Sequence, residues 1–221
     1  MKKYLFSIPF ILININVLKA QIYQNALNGI AYKEQNLGDV KGSPYVFDDW
    51  SVGTAQTSKG LINDINLKYS QFEDQVVFKS KDGQTLQFAD QVRDFTLLHK
   101  ENDKQSVIHY RNGYSNIPGL DNKSYFEVLV DGKCQLLKKT TKKIKQETIY
   151  GSTEPSKSFT VTTRYYIETP EKGLLVKKDK KSILSALPNK QQELETYIKN
   201  NNIDCKSDEG LMKLVTYYNA I

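Results

Sequence analysis

The stretch FTVTTRYYI, residues 159–167, has the strict alternation that is typical of a half-buried β-strand. One set of side chains is predicted to face the core: Phe159, Val161, Thr163, Tyr165 and Ile167. The mostly polar set between them is predicted to face solvent: Thr160, Thr162, Arg164 and Tyr166. The same alternation of apolar and polar residues dominates residues 44–178 and is clear again around Leu67. The pattern predicts an antiparallel β-sheet.

Two Asp-Gly pairs, at residues 82–83 and 131–132, mark hairpin turns. At the first pair, a three-residue loop with Gly83 in the left-handed region opposes Phe78 to Leu86 and keeps core residues together. A two-residue loop would mix core with solvent residues.

The same reasoning at the second Asp-Gly pair opposes Val128 to Cys134 and Phe126 to Leu136. It turns Cys134 towards the core. Cys205 lies 71 positions further on, and the two thiols either form a disulfide or remain unpaired core residues.

After Lys178 the hydrophobic period becomes that of an amphipathic helix. Three short helices are predicted: residues 182–187, stopped by Pro188; a second around Leu194; and a third from Leu211 to Tyr218, capped by Ser207. The fold class is therefore α+β, with an antiparallel sheet, strongly curved or barrel-like, packed by short C-terminal helices. Residues 44–221 form this single domain, helical from about residue 179, and residues 21–43 form a loosely ordered arm.

Residues 1–20 are typical of a secretory signal peptide, with Lys2 and Lys3 before an apolar stretch and Ala20 at the cleavage site. The apolar stretch is shorter than the roughly 20 residues of a spanning helix. No cysteine follows the cleavage site, which argues against a lipid anchor. We expect a soluble exported protein, periplasmic or extracellular, in a bacterial envelope, without a transmembrane segment after cleavage.

Positive charge is concentrated in one segment of the chain. Without the leader the chain has 28 basic and 25 acidic residues, but residues 133–181 alone carry 13 and 5. The run KCQLLKKTTKKIK, residues 133–145, gives a candidate polyanion site for a lipid headgroup or acidic polysaccharide: Lys138, Lys139, Lys142 and Lys143. Nucleic acid is disfavoured, because the run contains no aromatic residue and the protein is exported. The alternative is a solvated strand, with Lys133, Lys139 and Lys143 on its outer face.

Groups suited to catalysis are few. His99 and His109 lack metal-ligand spacing, and no nucleophile or nucleotide motif is present, so neither a metal nor a cofactor is expected. Asp48 and Asp49 are the best paired acids for a glycan hydrolase, but neighbours on an extended segment point to opposite faces. Trp50 is interpreted as a core or lid residue rather than a sugar platform.

Two groups of residues carry a resemblance to a known class of protein. They are Gly42, Ser43, Pro44, Tyr45, Trp50, Gly53 and 67–69 near the start, and Tyr197, Ile198, Lys199, Leu214, Val215, Tyr217, Tyr218 and Asn219 near the end. They resemble exported hypothetical proteins of Bacteroidetes-type bacteria. The resemblance implies an envelope location and adds no site residue.

The leading hypothesis is a non-catalytic envelope protein that binds another envelope protein or a surface glycan. The alternatives are an exported hydrolase that uses acidic residues on a cell-wall or glycan substrate, and a polyanion-binding module built on the lysine run.

Overall fold

The alternating segments of the sequence form eleven β-strands in a computed structural model that describes residues 29–101, 104–148, 155–187 and 189–221. The strands are β1 (Gly29–Ala31), β2 (Ser51–Thr57), β3 (Gly60–Ser70), β4 (Gln75–Lys79), β5 (Thr85–Phe88), β6 (Val92–Glu101), β7 (Lys104–Arg111), β8 (Phe126–Val130), β9 (Gln135–Glu147), β10 (Ser156–Glu168) and β11 (Gly173–Val176). They make one antiparallel sheet in the order β1-β5-β4-β3-β2-β6-β7-β8-β9-β10-β11. The protein is thus mainly β, with helices at its C-terminal end.

Three helices follow the last strand: α1 (Lys180–Ala186), α2 (Gln191–Asn200) and α3 (Asp208–Ala220). The Ser207 hydroxyl accepts a hydrogen bond from the Gly210 N–H at 3.0 Å, so the predicted cap of the last helix is confirmed. Pro188, the predicted stop of α1, lies outside the described residues. Within the described ranges, every helix is too short or too polar to cross a membrane.

The sheet is not closed, but its two halves approach each other. The Lys142 N–H in β9 donates to the Gln71 carbonyl in the β3–β4 turn at 3.0 Å, and four strands separate β9 from β3 in the sheet order. The segment before β2 also joins the halves, because Lys41 bonds the β10 backbone and Val46 donates to the Tyr69 carbonyl. The described part of the expected arm is therefore attached to the sheet, through β1 and Lys41.

Three groups of buried side chains form the core. The first lies on strands β2–β7 and the start of β8 and is rich in rings: Tyr69 and Phe95 contact each other, and both contact Tyr110 and Tyr125. The second lies between β8–β11 and the three helices, and the third covers the other face of β8–β10 around Phe126. Strands β8–β10 are therefore covered on both faces where these two groups meet.

Because both faces of the sheet are covered at only one end of β10, burial changes along this strand. The predicted solvent-facing Tyr166 is buried, whereas the predicted core residue Val161 is 59% exposed. Residues 165–168 are buried on both faces, and residues 160–164 are exposed on both. The predicted division into one core face and one solvent face is therefore wrong for this strand, because burial changes along its length.

The first hairpin has the predicted register. Phe78 is paired with Leu86, and Gly83 has a φ of 86°, in the left-handed region that the turn requires. Glycine reaches this region without the steric cost that a side chain adds, which explains why the Asp-Gly signal located the turn correctly.

The second hairpin does not have the predicted register. Val128 is paired with Leu137 rather than with Cys134, and a bulge precedes Val130. The side chain of Asn219 in α3 accepts a hydrogen bond from the Cys134 N–H at 3.0 Å and donates one to the Cys134 carbonyl at 2.8 Å. A helix side chain thus replaces a strand partner, while Cys134 is buried as predicted.

Candidate functional site

One cleft, with a volume of about 740 Å³, contains several residues that the sequence analysis singled out. It is lined by residues 43 and 45–52, by residues 98–100 of β6 and by Lys142 of β9. We call it the Trp50 cleft. It brings together Asp48, Asp49, Trp50, His99 and Lys142, which the sequence analysis treated separately.

Backbone hydrogen bonds fix the wall formed by residues 43–46. The Val46 N–H donates to the Tyr69 carbonyl at 3.0 Å, and the Gln71 N–H donates to the Pro44 carbonyl at 2.9 Å. The Lys142 ammonium donates to the carbonyls of Ser43 and Tyr45. The wall is therefore held by β3 and β9 together.

Aromatic rings form much of the cleft lining. Phe47 and His99 are stacked, with ring centroids 4.0 Å apart and planes inclined by 4°. The Lys68 ammonium lies 5.3 Å from the centroid of the Trp50 ring, a favourable cation–π distance. Trp50 is half-buried, so it is a cleft residue rather than a fully buried core residue.

Asp48 and Asp49 are exposed beside Trp50, and they are the two carboxylates among the described residues that line this cleft. The other ionisable side chains of the lining are Tyr45, His99, Lys100 and Lys142. Burial lowers the pKa of Lys142, and the charge of Asp48 opposes this change. The cleft thus combines exposed acceptors, aromatic surface and a partly buried cation.

The four lysines of the predicted polyanion site are in different surroundings. Lys138 is 3.3 Å from Glu127 and 3.2 Å from Asp208, whereas Lys142 holds the cleft wall. Lys143 is exposed. Lys138 and Lys142 thus contact groups of the protein itself, and the polyanion site remains a prediction.

Lys139 differs most from its prediction. It was expected on a solvent face, but it is 4% exposed and donates to the Asp74 carboxylate and to the Tyr125 carbonyl. Burial lowers its pKa, and Asp74 opposes this change. The expected exposure was wrong because the β3–β4 turn and the start of β8 cover this face of β9. The strand is also internal, since it is paired with both β8 and β10.

The remaining candidate groups lie apart from the Trp50 cleft. His109 bonds Asp94, which also accepts from the Arg111 guanidinium at 2.8 Å. Cys134 and Cys205 are free, buried thiols in the core beside the helices, and burial raises the pKa of both. Among the described residues, no group of three or more His, Cys, Asp or Glu side chains is arranged to hold a metal ion.

Sequence reasoning did not find Lys68, Phe47 or the stack on His99. Their contacts join residues that are far apart in the chain, and no short motif signals such pairs. The cluster of Asp48, Asp49 and Trp50 within three positions was the signal available, and it lies in the cleft. Comparisons of the chain with protein-family models, with curated proteins and with solved structures found no match.

Proposed function

We propose that the protein is an exported, non-catalytic binding module of a bacterial envelope and that it binds a surface glycan in the Trp50 cleft. The observation that carries this proposal is the grouping of an indole ring with two exposed carboxylates, Asp48 and Asp49, in one cleft of about 740 Å³. A cleft with aromatic surface and a few polar groups is the usual form of a small-ligand site.

The chemistry of a sugar suits these groups. A pyranose has apolar C–H faces that pack against an aromatic ring, and its hydroxyl groups donate to acceptors at the ring edge. An ionised carboxylate accepts several hydrogen bonds, and such charge-assisted bonds are stronger than neutral ones. Because Trp50 is half-buried and lines the cleft, we replace the interpretation of Trp50 as a core or lid residue and assign it to receive the sugar face, with Asp48 and Asp49 accepting from the sugar hydroxyl groups.

The same geometry favours binding over hydrolysis. Glycosidases place two carboxyl groups on either side of the scissile bond, about 5 to 10 Å apart. Here the two acids are adjacent in the chain, and the described lining adds His99, Lys100 and Lys142 rather than a third carboxylate. We therefore assign Asp48 and Asp49 to ligand recognition.

The test is titration of the purified protein with neutral and acidic bacterial oligosaccharides, followed by calorimetry. We expect Trp50→Ala and Asp49→Asn each to weaken binding of the preferred neutral oligosaccharide at least about tenfold, because each removes a direct contact. Trp50→Phe keeps an aromatic face and should retain part of the affinity. Glu195→Gln, an exposed acid on α2, is the matched control and should change nothing.

Two results would contradict the proposal: unchanged affinity in Trp50→Ala, or release of new reducing ends from the oligosaccharide. The dependence of affinity on salt concentration distinguishes glycan binding from the polyanion alternative. Binding through Lys143 and its neighbours would weaken steeply between about 50 and 200 mM salt, as charge contacts do, whereas binding of a neutral glycan would change little.

A further inference from the structure

Strand β10 has one edge that the described strands cover only in part. On one side, β10 is paired with β9 along its whole length. On the other side, Ser158 is bridged to Lys41, and Tyr165 is paired with Val176 of β11. Between these two contacts, residues 160–164 have no strand neighbour on this side among the described residues, and all five are exposed. We call residues 160–164 on this side the open edge of β10.

The bonds at one end of the open edge show which backbone groups point out of the sheet. The Lys41 N–H donates to the Lys157 carbonyl at 2.9 Å, and the Phe159 N–H donates to the Lys41 carbonyl at 3.2 Å. Alternate residues of a strand direct their N–H and C=O groups to the same side, so Val161 and Thr163 also direct theirs to the open edge. Within the part of the chain that the structure describes, these four groups have no hydrogen-bond partner. Such an edge is a template for an added strand, and the bonds of Lys41 show that an extended segment already pairs with it.

Four exposed cations surround the open edge: Lys41, Lys143, Arg164 and Lys177. Across the described ranges, none of the four forms an ion pair. Lys41 is bridged to Ser158, and Lys143 is paired with Thr160. Lys177 directly follows β11 and comes opposite Arg164 in the same register. Side chains of directly paired residues share a face, and even-numbered residues of β10 share one face, so pairing places all four cations on the same face of the sheet.

The acids closest in sequence to Lys41 and Lys177 are engaged elsewhere. Asp39 lies 3.9 Å from the Lys157 ammonium, and Asp179 accepts a hydrogen bond from the Ser182 N–H at 2.7 Å. The open edge therefore presents a positive potential that favours an acidic partner. The same charge disfavours a second copy of this chain, because edge-to-edge pairing of two copies would bring their cations together.

We propose that the open edge of β10 binds an extended acidic segment of a partner protein, which adds a strand to the sheet. The backbone of this segment pairs with the N–H and C=O groups of Val161 and Thr163. Its side chains alternate between the two faces, so acidic residues at every second position contact Arg164 and Lys143. The residues between them are β-branched and pack beside Val161, which is 59% exposed. An acidic polysaccharide would match the charges but lacks the regular N–H and C=O groups that a strand edge pairs with.

The test uses the full chain and the peptide acetyl-Glu-Val-Glu-Val-Glu-amide, with binding followed by calorimetry. NMR follows hydrogen exchange of the backbone amides of Val161 and Thr163. We expect both amides to exchange rapidly in the free protein and at least about tenfold more slowly with saturating peptide, because they become hydrogen-bonded. The amide of Thr162 points to β9, so its exchange is the internal control and should not change.

Three comparisons separate the backbone pairing from the charge contacts. The same peptide with lysine in place of glutamate should bind at least about tenfold more weakly, and Arg164→Gln should weaken binding of the acidic peptide about tenfold. Lys199→Gln, at an exposed lysine of α2, is the matched control and should change nothing. The acidic peptide with every amide N-methylated keeps its charges but loses its donors, and it should also bind at least about tenfold more weakly.

Several outcomes would overturn the proposal. Equal binding of the N-methylated peptide, or binding without protection of Val161 and Thr163, would assign the cations to a polyanion. Equal binding of the lysine peptide, or no binding at millimolar concentration, would exclude an acidic strand. Slow exchange of the two amides in the free protein that becomes rapid on dilution would assign the edge to a second copy. The Trp50→Ala variant should bind the acidic peptide as the wild type does, so failure here is separate from failure of the glycan proposal.

Discussion

The two halves of the β9–β10 hairpin share the same pairing but have opposite burial. In the inner half, Leu136, Leu137 and Tyr165–Glu168 are buried. In the outer half, residues 143–147 and 160–162 are exposed, and residues 156–159 are half-buried. The register is continuous from Glu147, paired with Ser156, to Gln135, paired with Glu168. Strand formation and strand burial are thus separate properties here.

What differs between the halves is the packing on the sheet. The helices cover one face of the inner half through the core group that contains Leu136 and Ile167, and Tyr114, Ile117 and Phe126 cover its other face. The outer half lies beyond both. An alternating sequence therefore predicted the strand correctly, but burial depended on elements that lie far away along the chain, as Asn219 lies 85 positions from Cys134.

The largest expected effect tests this difference directly. Leu136→Ala removes a fully buried side chain and should destabilise the protein by about 3 kcal/mol, since large-to-small changes in a core cost about 2 to 5 kcal/mol. Val161→Ala in the outer half should cost less than about 0.5 kcal/mol, because Val161 is 59% exposed. Urea unfolding monitored by fluorescence gives both values. Equal losses would show that the outer half is packed in solution.

The next effect compares ion pairs of two lysines of β9: Lys139 in the inner half, paired with Asp74 of the β3–β4 turn, and Lys145 in the outer half, paired with Glu147. Asp74→Asn leaves the ammonium of Lys139, whose side chain is 5% exposed, without its charge partner. Removing one member of a buried pair costs about 3 to 5 kcal/mol, and the partial exposure of Asp74 reduces our expectation to about 2 kcal/mol. Glu147→Gln, at the fully exposed pair, should cause no measurable change.

The pH dependence sharpens the same test. Burial already lowers the pKa of Lys139, and the loss of Asp74 should lower it further. The unfolded lysine, with a pKa of about 10.4, then binds a proton more tightly than the folded one. Stability of Asp74→Asn should therefore rise with pH between the folded pKa and about 10.4. If the destabilisation of Asp74→Asn relative to the wild type does not change with pH over this range, the Lys139 ammonium is solvated.

The sequence predicted the parts of the fold that depend on local chemistry. Alternation located the strands, Gly83 set one hairpin register, and Ser207 marked the start of α3. The second register was wrong because Asn219, 85 positions from Cys134, bonds the Cys134 backbone. Such a contact leaves no periodic signal.

In the candidate site too, the sequence predicted only the residues that are adjacent in the chain. Asp48, Asp49 and Trp50 were noted because they are adjacent in the sequence. Their grouping with His99 arises because β6 is paired with β2, and Lys142 joins them because β9 approaches the β3–β4 turn. Lys139 was placed on the wrong face for a related reason: strand parity defines two faces, but only tertiary packing decides whether either one is exposed.

The smallest expected effect concerns the pH dependence of stability. The carboxyl groups at the two ends of the hairpin, Glu168 and Glu147, have pKa values shifted in opposite directions. Glu168, in the inner half, is 8% exposed, and its Oε2 atom has no partner among the described residues. Burial raises the pKa of Glu168, and a hydrogen bond with Asn116 opposes the rise. Glu147, in the outer half, has a lowered pKa because Lys145 bonds it.

Because folded Glu168 binds its proton more tightly than the unfolded chain does, its contribution to stability is complete below about pH 4.3 and is lost as the pH rises through the folded pKa. Glu168→Gln should therefore flatten the fall in stability on the alkaline side of pH 4.3, as measured by unfolding at a series of pH values. The sign for Glu147 is opposite: its contribution is present above about pH 4.3 and is lost as the pH falls, and full exposure makes it small. Parallel profiles for the wild type and Glu168→Gln would mean that water reaches Glu168, and that the inner half of the hairpin is less tightly covered than its packing indicates.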